Sequence, residues 1–263
     1  MFSKLTSLLR SGTADPPLPP GDPGTLAPEH TLIVVGDLHG CLDLLKQTLE
    51  RIDAHIEAEG PEGDPAPRLV LVGDYVDRGP DSAGVLRHVH ELQKAMPEQV
   101  ICLMGNHEWM MLDFLADPAG KGPRWLNNGG VQTLASFGIG GVTPQSPLED
   151  LSDAADALEA AMPEGLLDWL RRLPLSHSSG NVICVHAAMD PYLPLRDQLP
   201  EVLLWGQRDF LKRPRNDDLW VVHGHTIFKQ PQFVQSRISI DTGAFHTGRL
   251  SVAYIRPGRC EFI

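Results

Sequence analysis

The stretch VVGDLHGCLD, Val34 to Asp43, decides the fold. An apolar run stops at a glycine. An Asp and a His follow two positions apart, and a helical pattern begins at once. Two more runs end in the same way: RLVLVGD (68–74) and QVICLMGN (99–106). In each, a glycine lets the chain turn and a short oxygen-bearing side chain comes next. Helical periodicity separates the runs, in CLDLLKQTLERIDAHIEAE (41–59), PDSAGVLRHVHELQKAM (80–96) and HEWMMLDFLAD (107–117). Strands alternating with helices predict βαβ units and a parallel sheet. Runs that are apolar at every position predict strands covered on both faces. Ligand sites of such sheets lie at the carboxyl ends of the strands, where Asp37, Asp74 and Asn106 stand.

The second half reads differently. KGPRWLNNGGVQTLASFG (121–138) reads as loop then helix, and 146–162 and 163–173 as two further helices. Strands return at NVICVH (181–186), LWVVHGH (219–225), QFVQ (232–235), RISID (237–241) and RLSVAYI (249–255). They predict a β-rich layer facing the first. The expected fold class is therefore α/β, a two-sheet sandwich with flanking helices. Residues 1–30 read as a flexible Pro/Gly-rich leader, and 31–263 as one catalytic domain with a helical insert near 121–175. The acidic part of that insert, 141–165, leaves three roles open: a lid, a partner surface, or packing.

Composition narrows the function. The chain has 263 residues, 42 % of them hydrophobic, and a net charge of −12. The charge argues against a broad surface for nucleic-acid backbone. The longest apolar runs are strand-length, so no membrane span is expected. The four cysteines form no CxxC pair and read as buried thiols of a cytoplasmic protein.

Asp37, His39, Asp74, Asn106, His186 and His225 each sit at or just after an expected strand. Singly, an Asp or Asn after glycine is a turn or a helix cap. Six such residues at equivalent strand ends read as a ligand set, because caps need no histidine. Carboxylate, imidazole and amide oxygen together suit Mn²⁺, Fe or Zn²⁺.

The fuller motifs are GDLHG (36–40), GDYVDRG (73–79), GNHE (105–108), VHA (185–187) and GHT (224–226), in that order. With this spacing the chain resembles the phosphoprotein phosphatases, the metal-dependent Ser/Thr phosphatases of the calcineurin-like metallophosphoesterase superfamily. It is most similar to their compact bacterial and phage members. The resemblance implies two divalent ions, Mn²⁺ first, with Fe or Zn²⁺ as alternatives. Asp37, His39 and Asp74 would hold one ion. Asp74 would bridge to a second, held also by Asn106, His186 and His225. A hydroxide between the ions would attack phosphorus directly. His107 would protonate the leaving oxygen, Asp77 would orient His107, and Arg78 and Asn106 would bind the phosphate. Compact members carry a second phosphate-binding Arg in a W-x-R pattern. Here Gln207 stands at that position, and Arg208, one residue later, is expected to serve.

The implied substrates are phosphoserine and phosphothreonine proteins, with phosphotyrosine within reach. The alternative is dinucleoside tetraphosphate hydrolysis, a related branch that shares GDLHGC. That branch usually lacks the Asp of VDRG and has GNHD, whereas Asp77 and Glu108 stand here. A catalytically dead scaffold is the third reading, and an intact ligand set argues against it. Trp125, Asn127 and Asn128 are expected to line the substrate cleft, although the double glycine equally supports a tight turn before the helix, and His223 is expected to support the metal site or to pack within its strand. Asp241 reads either as a turn former or as a support for the metal site. Arg213 and Arg215 are expected in solvent. His55, His88 and His90 are expected at the surface or satisfied within helices.

Overall fold

The computed structural model describes residues 25–60, 64 and 66–263. Strand β1 (Leu32–Val35) is buried at every position, and its side chains alternate between two cores. Leu32 and Val34 join a cluster that also takes Val70, Val72, Val182, Trp220, Val222 and Ile238, from both sheets. Ile33 and Val35 face the opposite way, onto the helices. A strand with both faces covered has no position left for a polar side chain, which explains the unbroken apolar run.

Two five-stranded sheets result. The first has the order β10–β9–β1–β2–β3, with β2 at Arg68–Leu71, β3 at Val100–Cys102, β9 at Val252–Arg256 and β10 at Arg259–Phe262. The second has the order β4–β5–β6–β8–β7, with β4 at Ser176–Ser179, β5 at Val182–Val185, β6 at Trp220–His223, β7 at Gln232–Val234 and β8 at Arg237–Ser239. Strands β1, β2 and β3 are parallel, as are β5, β6 and β8. Each sheet thus collects several carboxyl ends on one edge. The α/β sandwich with flanking helices is as expected.

Helices α1 (Leu42–Glu59) and α2 (Ser82–Ala95) link the first three strands, and α3 (Asn106–Ala116) follows β3. Then come α4 (Pro118–Trp125), α5 (Val131–Ser136), α6 (Leu148–Ala161), α7 (Leu166–Arg171), α8 (Pro200–Trp205) and α9 (Ala244–Thr247). The apolar side of α6, Leu151, Ala154, Ala155 and Leu158, is buried in the same core as α1 and α2. Packing is therefore one role of the acidic segment.

Three details depart from the sequence reading. The hairpin β9–β10 returns to the first sheet, antiparallel to β1, with Val34 opposite Ala253. The first four residues of β9 are all buried, so its pattern does not reveal which sheet it joins. The polar strand β4 pairs at the edge of the second sheet, where no apolar alternation is needed. The start of 121–138, expected as loop, is helical, because α4 runs over Pro118–Trp125. Asp117 caps it by accepting the Gly120 N–H at 2.9 Å, and Pro118 sits in its first turn. Its glycines disguise it. A Cβ on Gly122 would fall 2.8 Å from the Phe114 ring, so close packing on α3 excludes better helix formers.

Of the expected leader, residues 1–24 lie outside the described residues. Residues 25–30 are pinned rather than flexible. Leu26 is buried in the inter-sheet cluster, and Ala27 N donates to Asn181 Oδ1 at 2.7 Å. Among the described residues no helix is long and apolar enough to cross a membrane. All four cysteines are buried, and none forms a disulfide among the described residues.

Candidate active site

The carboxyl ends of β1, β2, β3, β5 and β6 deliver Asp37, Asp74, Asn106, His186 and His225 to one place. His39 follows two residues after Asp37. Ligand atoms of Asp74, His186 and His225 lie within 4.8 Å of one another, and so do those of His39, Asp74 and His107. Asp74 belongs to both groups. All of these side chains except His225 are buried.

Backbone carbonyls set the imidazoles. His39 Nδ1 donates to Val76 O at 2.9 Å, and His186 Nδ1 donates to Val72 O at 2.9 Å. Each ring is left with a bare Nε2 facing the cluster. Burial lowers His39 to about 3 and His225 to about 4, and it lowers His186 as well. Neutral rings are the metal-binding form.

Asn106 Oδ1 lies 2.8 Å from His186 Nε2 and 2.9 Å from His225 Nδ1. His186 Nε2 and the amide oxygen are both acceptors, so a cation satisfies the pair better than a hydrogen bond. Asp37 accepts His225 N–H on Oδ2 at 3.0 Å, while its buried Oδ1 has no hydrogen-bond partner among the described residues. Burial, then Asp241 and Asp74, push the Asp37 carboxyl well up. Burial acts to raise Asp74 too, but His186, His107 and His39 outweigh it and hold Asp74 below the usual carboxylate range. Asp241 is pushed up to about 6 by burial, with Asp74 adding to it. Buried carboxylates this close, with an orphaned oxygen among them, fit a site for divalent cations.

Beside the cluster, His107 Nδ1 donates to Asp77 Oδ2 at 2.6 Å. Burial alone would lower His107, but the Asp74 and Asp77 carboxylates prevail and raise it. Guanidinium nitrogens of Arg78 lie 3.1 Å from His39 Nε2 and 3.1 Å from His107 Nε2, and the guanidinium carbon lies 5.0 Å from the centre of the Phe245 ring. The backbone bends sharply here. His39, Asp74, Asp77, Arg78 and His225 all have positive φ, between 42° and 74°.

The sequence reading is corrected at Trp125 and at Arg215. Trp125 does not line a cleft. It is fully buried, and its indole N–H points at Asp77, 3.0 Å from either carboxylate oxygen. Asn127 and Asn128 turn back onto the carbonyls of Pro123 and Arg124 at 2.8 Å. Arg215 is not in solvent. It is buried, paired with Asp217, and donates to the carbonyls of Asp190 and Leu193.

Arg208 and Arg213 are exposed. Gln207 lies 3.4 Å from Asp190 Oδ2. His223 packs as expected. It donates to Gly224 O at 3.0 Å, its Nε2 lies 2.8 Å from Ser239 Oγ, and its ring edges Phe210. Asp241 forms a turn through Gly243 N at 2.8 Å and also adds to the acidic cluster.

Glu108 escaped the sequence reading as a site residue. Fully buried, it accepts the backbone N–H groups of Asp74, Tyr75, Val76 and Gly105 at 2.7–3.1 Å. Its place in GNHE marked it, although not its targets in another loop. Thr133 and Phe245 carry no local signal.

Residues 30–244 match the family model for calcineurin-like phosphoesterases. A symmetrical bis(5'-nucleosyl)-tetraphosphatase of Pseudomonas fluorescens is 33 % identical over 167 residues, which are 63 % of this chain and 45 % of that protein. The chain thus spans less than half the length of that relative. An asymmetrical bis(5'-nucleosyl)-tetraphosphatase of Oceanobacillus iheyensis is 26 % identical over 88 % of this chain and 90 % of its own. Serine/threonine-protein phosphatase 1 of Salmonella typhimurium is 28 % identical over 85 % of this chain and 91 % of its own. The family model covers most of the chain, and with the two-sheet fold and the His/Asp cluster it establishes that the chain belongs to the calcineurin-like metallophosphoesterase family.

Proposed function

We propose that this metallophosphoesterase hydrolyses phosphomonoesters of Ser and Thr in proteins. The observation that carries the reading is the 2.6 Å bond from His107 to Asp77, beside Arg78. A serine or threonine alkoxide leaves poorly without a proton, and a positioned acid contributes about 10²–10⁴-fold. The nucleotide leaving group of an anhydride needs that proton far less.

Asp37, His39 and Asp74 would hold one divalent ion, and Asp74, Asn106, His186 and His225 another, with Mn²⁺ the expected metal. Such ions supply Lewis acidity toward phosphoryl oxygens and activate water at neutral pH. The chain's own groups do the rest. Arg78 presents a planar fork of donors to phosphate oxygens. His107 carries a proton on Nε2 to the departing oxygen. Asp77 accepts from Nδ1 throughout and keeps the ring aimed. Arg208 would add a second contact to phosphate.

The second reading is dinucleoside tetraphosphate hydrolysis. Two of the three relatives above are named for that activity, one of them matched over nearly its full length. The relatives favour this reading, while the buttressed acid favours the first. One panel with Mn²⁺ separates them. It compares phosphoserine, phosphothreonine and phosphotyrosine peptides with diadenosine tetraphosphate and a phosphodiester. Higher kcat/KM on the phosphoserine or phosphothreonine peptide supports the first reading. A strong preference for the dinucleotide replaces it with the second.

A further inference from the structure

Asp77 is itself held. Both of its oxygens lie 3.0 Å from Trp125 Nε1, and Oδ1 also takes the Thr133 hydroxyl at 2.7 Å. Thr133 Oγ1 in turn accepts the Asp77 backbone N–H at 2.9 Å, and Ser82 Oγ accepts it at 3.0 Å. Asp77, Trp125, Thr133 and Ser82 are all fully buried. The segment between Trp125 and Thr133 presses directly on this loop. A Cβ on Gly129 (φ 114°) would fall 2.6 Å from Arg78 N.

Trp125 ends α4 and Thr133 lies in α5, 48 and 56 residues beyond Asp77. The segment after GNHE therefore reaches back beneath the acid. A carboxylate at a strand end with only one partner can rotate about its side-chain torsions. Three donors on two oxygens leave this one a single orientation.

We propose that Trp125 and Thr133 are positioning residues for the leaving-group acid. They fix the Asp77 carboxylate so that it holds His107 with Nε2 toward the substrate. This rests on the reading of His107 as that acid. A bare packing role would make both residues matter for stability and equally for every substrate. Trp125 does pack, with its ring 4.8 Å from that of Phe114, so the test must separate the two roles.

Three variants do so. Trp125→Phe keeps the ring and removes the N–H. Thr133→Val keeps the shape and removes the hydroxyl, and Thr133→Ser restores it. Each is assayed with Mn²⁺ on a phosphoserine peptide, which has a poor leaving group, and on p-nitrophenyl phosphate, which has a good one. His107→Ala runs beside them.

The expected result is a kcat on the peptide lowered about tenfold, the rate equivalent of one ordinary hydrogen bond, in Trp125→Phe and Thr133→Val. KM stays unchanged, p-nitrophenyl phosphate turnover falls less than about twofold, and Thr133→Ser recovers. Equal losses on both substrates, or no loss in Thr133→Val, overturn the positioning role. If His107→Ala shows no leaving-group dependence, the acid reading itself fails and the proposal goes with it. Dependence in His107→Ala with none in the other variants rejects the proposal alone.

Discussion

Glu108 Oε1 accepts the backbone N–H of Tyr75 at 2.7 Å, which ties the first turn of α3 to the loop carrying Asp74, Asp77 and Arg78. The same carboxylate takes three more backbone N–H groups. Glu108→Ala leaves four buried donors without their acceptor. The expected loss is about 3 kcal/mol or more, since one unsatisfied buried group costs about 1–3. Thermal or urea unfolding checks it. Glu108→Gln, which keeps the shape and part of the accepting capacity, should lose clearly less.

Removing metal should expose the repulsion among Asp37, Asp74 and Asp241. A chelator is expected to abolish turnover and to lower Tm. In the metal-free protein Asp37→Asn should then raise Tm, because it removes a carboxyl whose ionisation is opposed by burial and then by Asp241 and Asp74. With Mn²⁺ supplied, the same variant should be the less stable one. Calorimetry of both forms gives all four values. An Asp37→Asn protein that loses stability equally with and without metal argues against the cation site.

The two arginines expected at the phosphate should behave differently. Arg78 touches His39 and His107, so Arg78→Lys, which loses the fork, should lower kcat/KM by about tenfold or more. Arg208 is exposed, and Arg208→Ala should raise KM with kcat kept if it serves the phosphate. Steady-state kinetics decide, and an unchanged KM removes Arg208 from the clamp.

His223 predicts acid sensitivity. Burial lowers it to about 4, so the fold holds it neutral while the unfolded chain protonates it near 6.5. Its contribution is complete above pH 6.5 and is lost as pH falls from 6.5 toward 4, by up to about 1.4 kcal/mol per pH unit. Urea unfolding at several pH values should show a shallower fall in His223→Gln than in the wild type.

The sequence carried most of the cluster. Asp37, His39, Asp74, Asn106, His186 and His225 were legible because strand ends mark themselves locally, by an apolar run and a glycine. The supports were not. Trp125 reaches Asp77 from 48 residues away, and a tryptophan before two asparagines looks like a surface loop. Arg215 looked solvent-bound because its burial depends on carbonyls of Asp190 and Leu193, which only the folded chain brings near. Helix α4 was hidden by Gly122, a residue placed there for Phe114 and against helix propensity. Short-range pattern reveals groups that lie along one element. Groups that meet only through tertiary packing leave no such trace.

Five of the seven non-glycine residues with positive φ among the described residues are His39, Asp74, Asp77, Arg78 and His225. Each such conformation costs about 1–2 kcal/mol relative to glycine. The sum is comparable to the whole margin by which an ordinary domain stays folded. A library of this chain selected only for heat resistance should therefore accumulate glycine at these positions. It would shed turnover in the same step, so durability and activity have to be screened together in any attempt to evolve this enzyme.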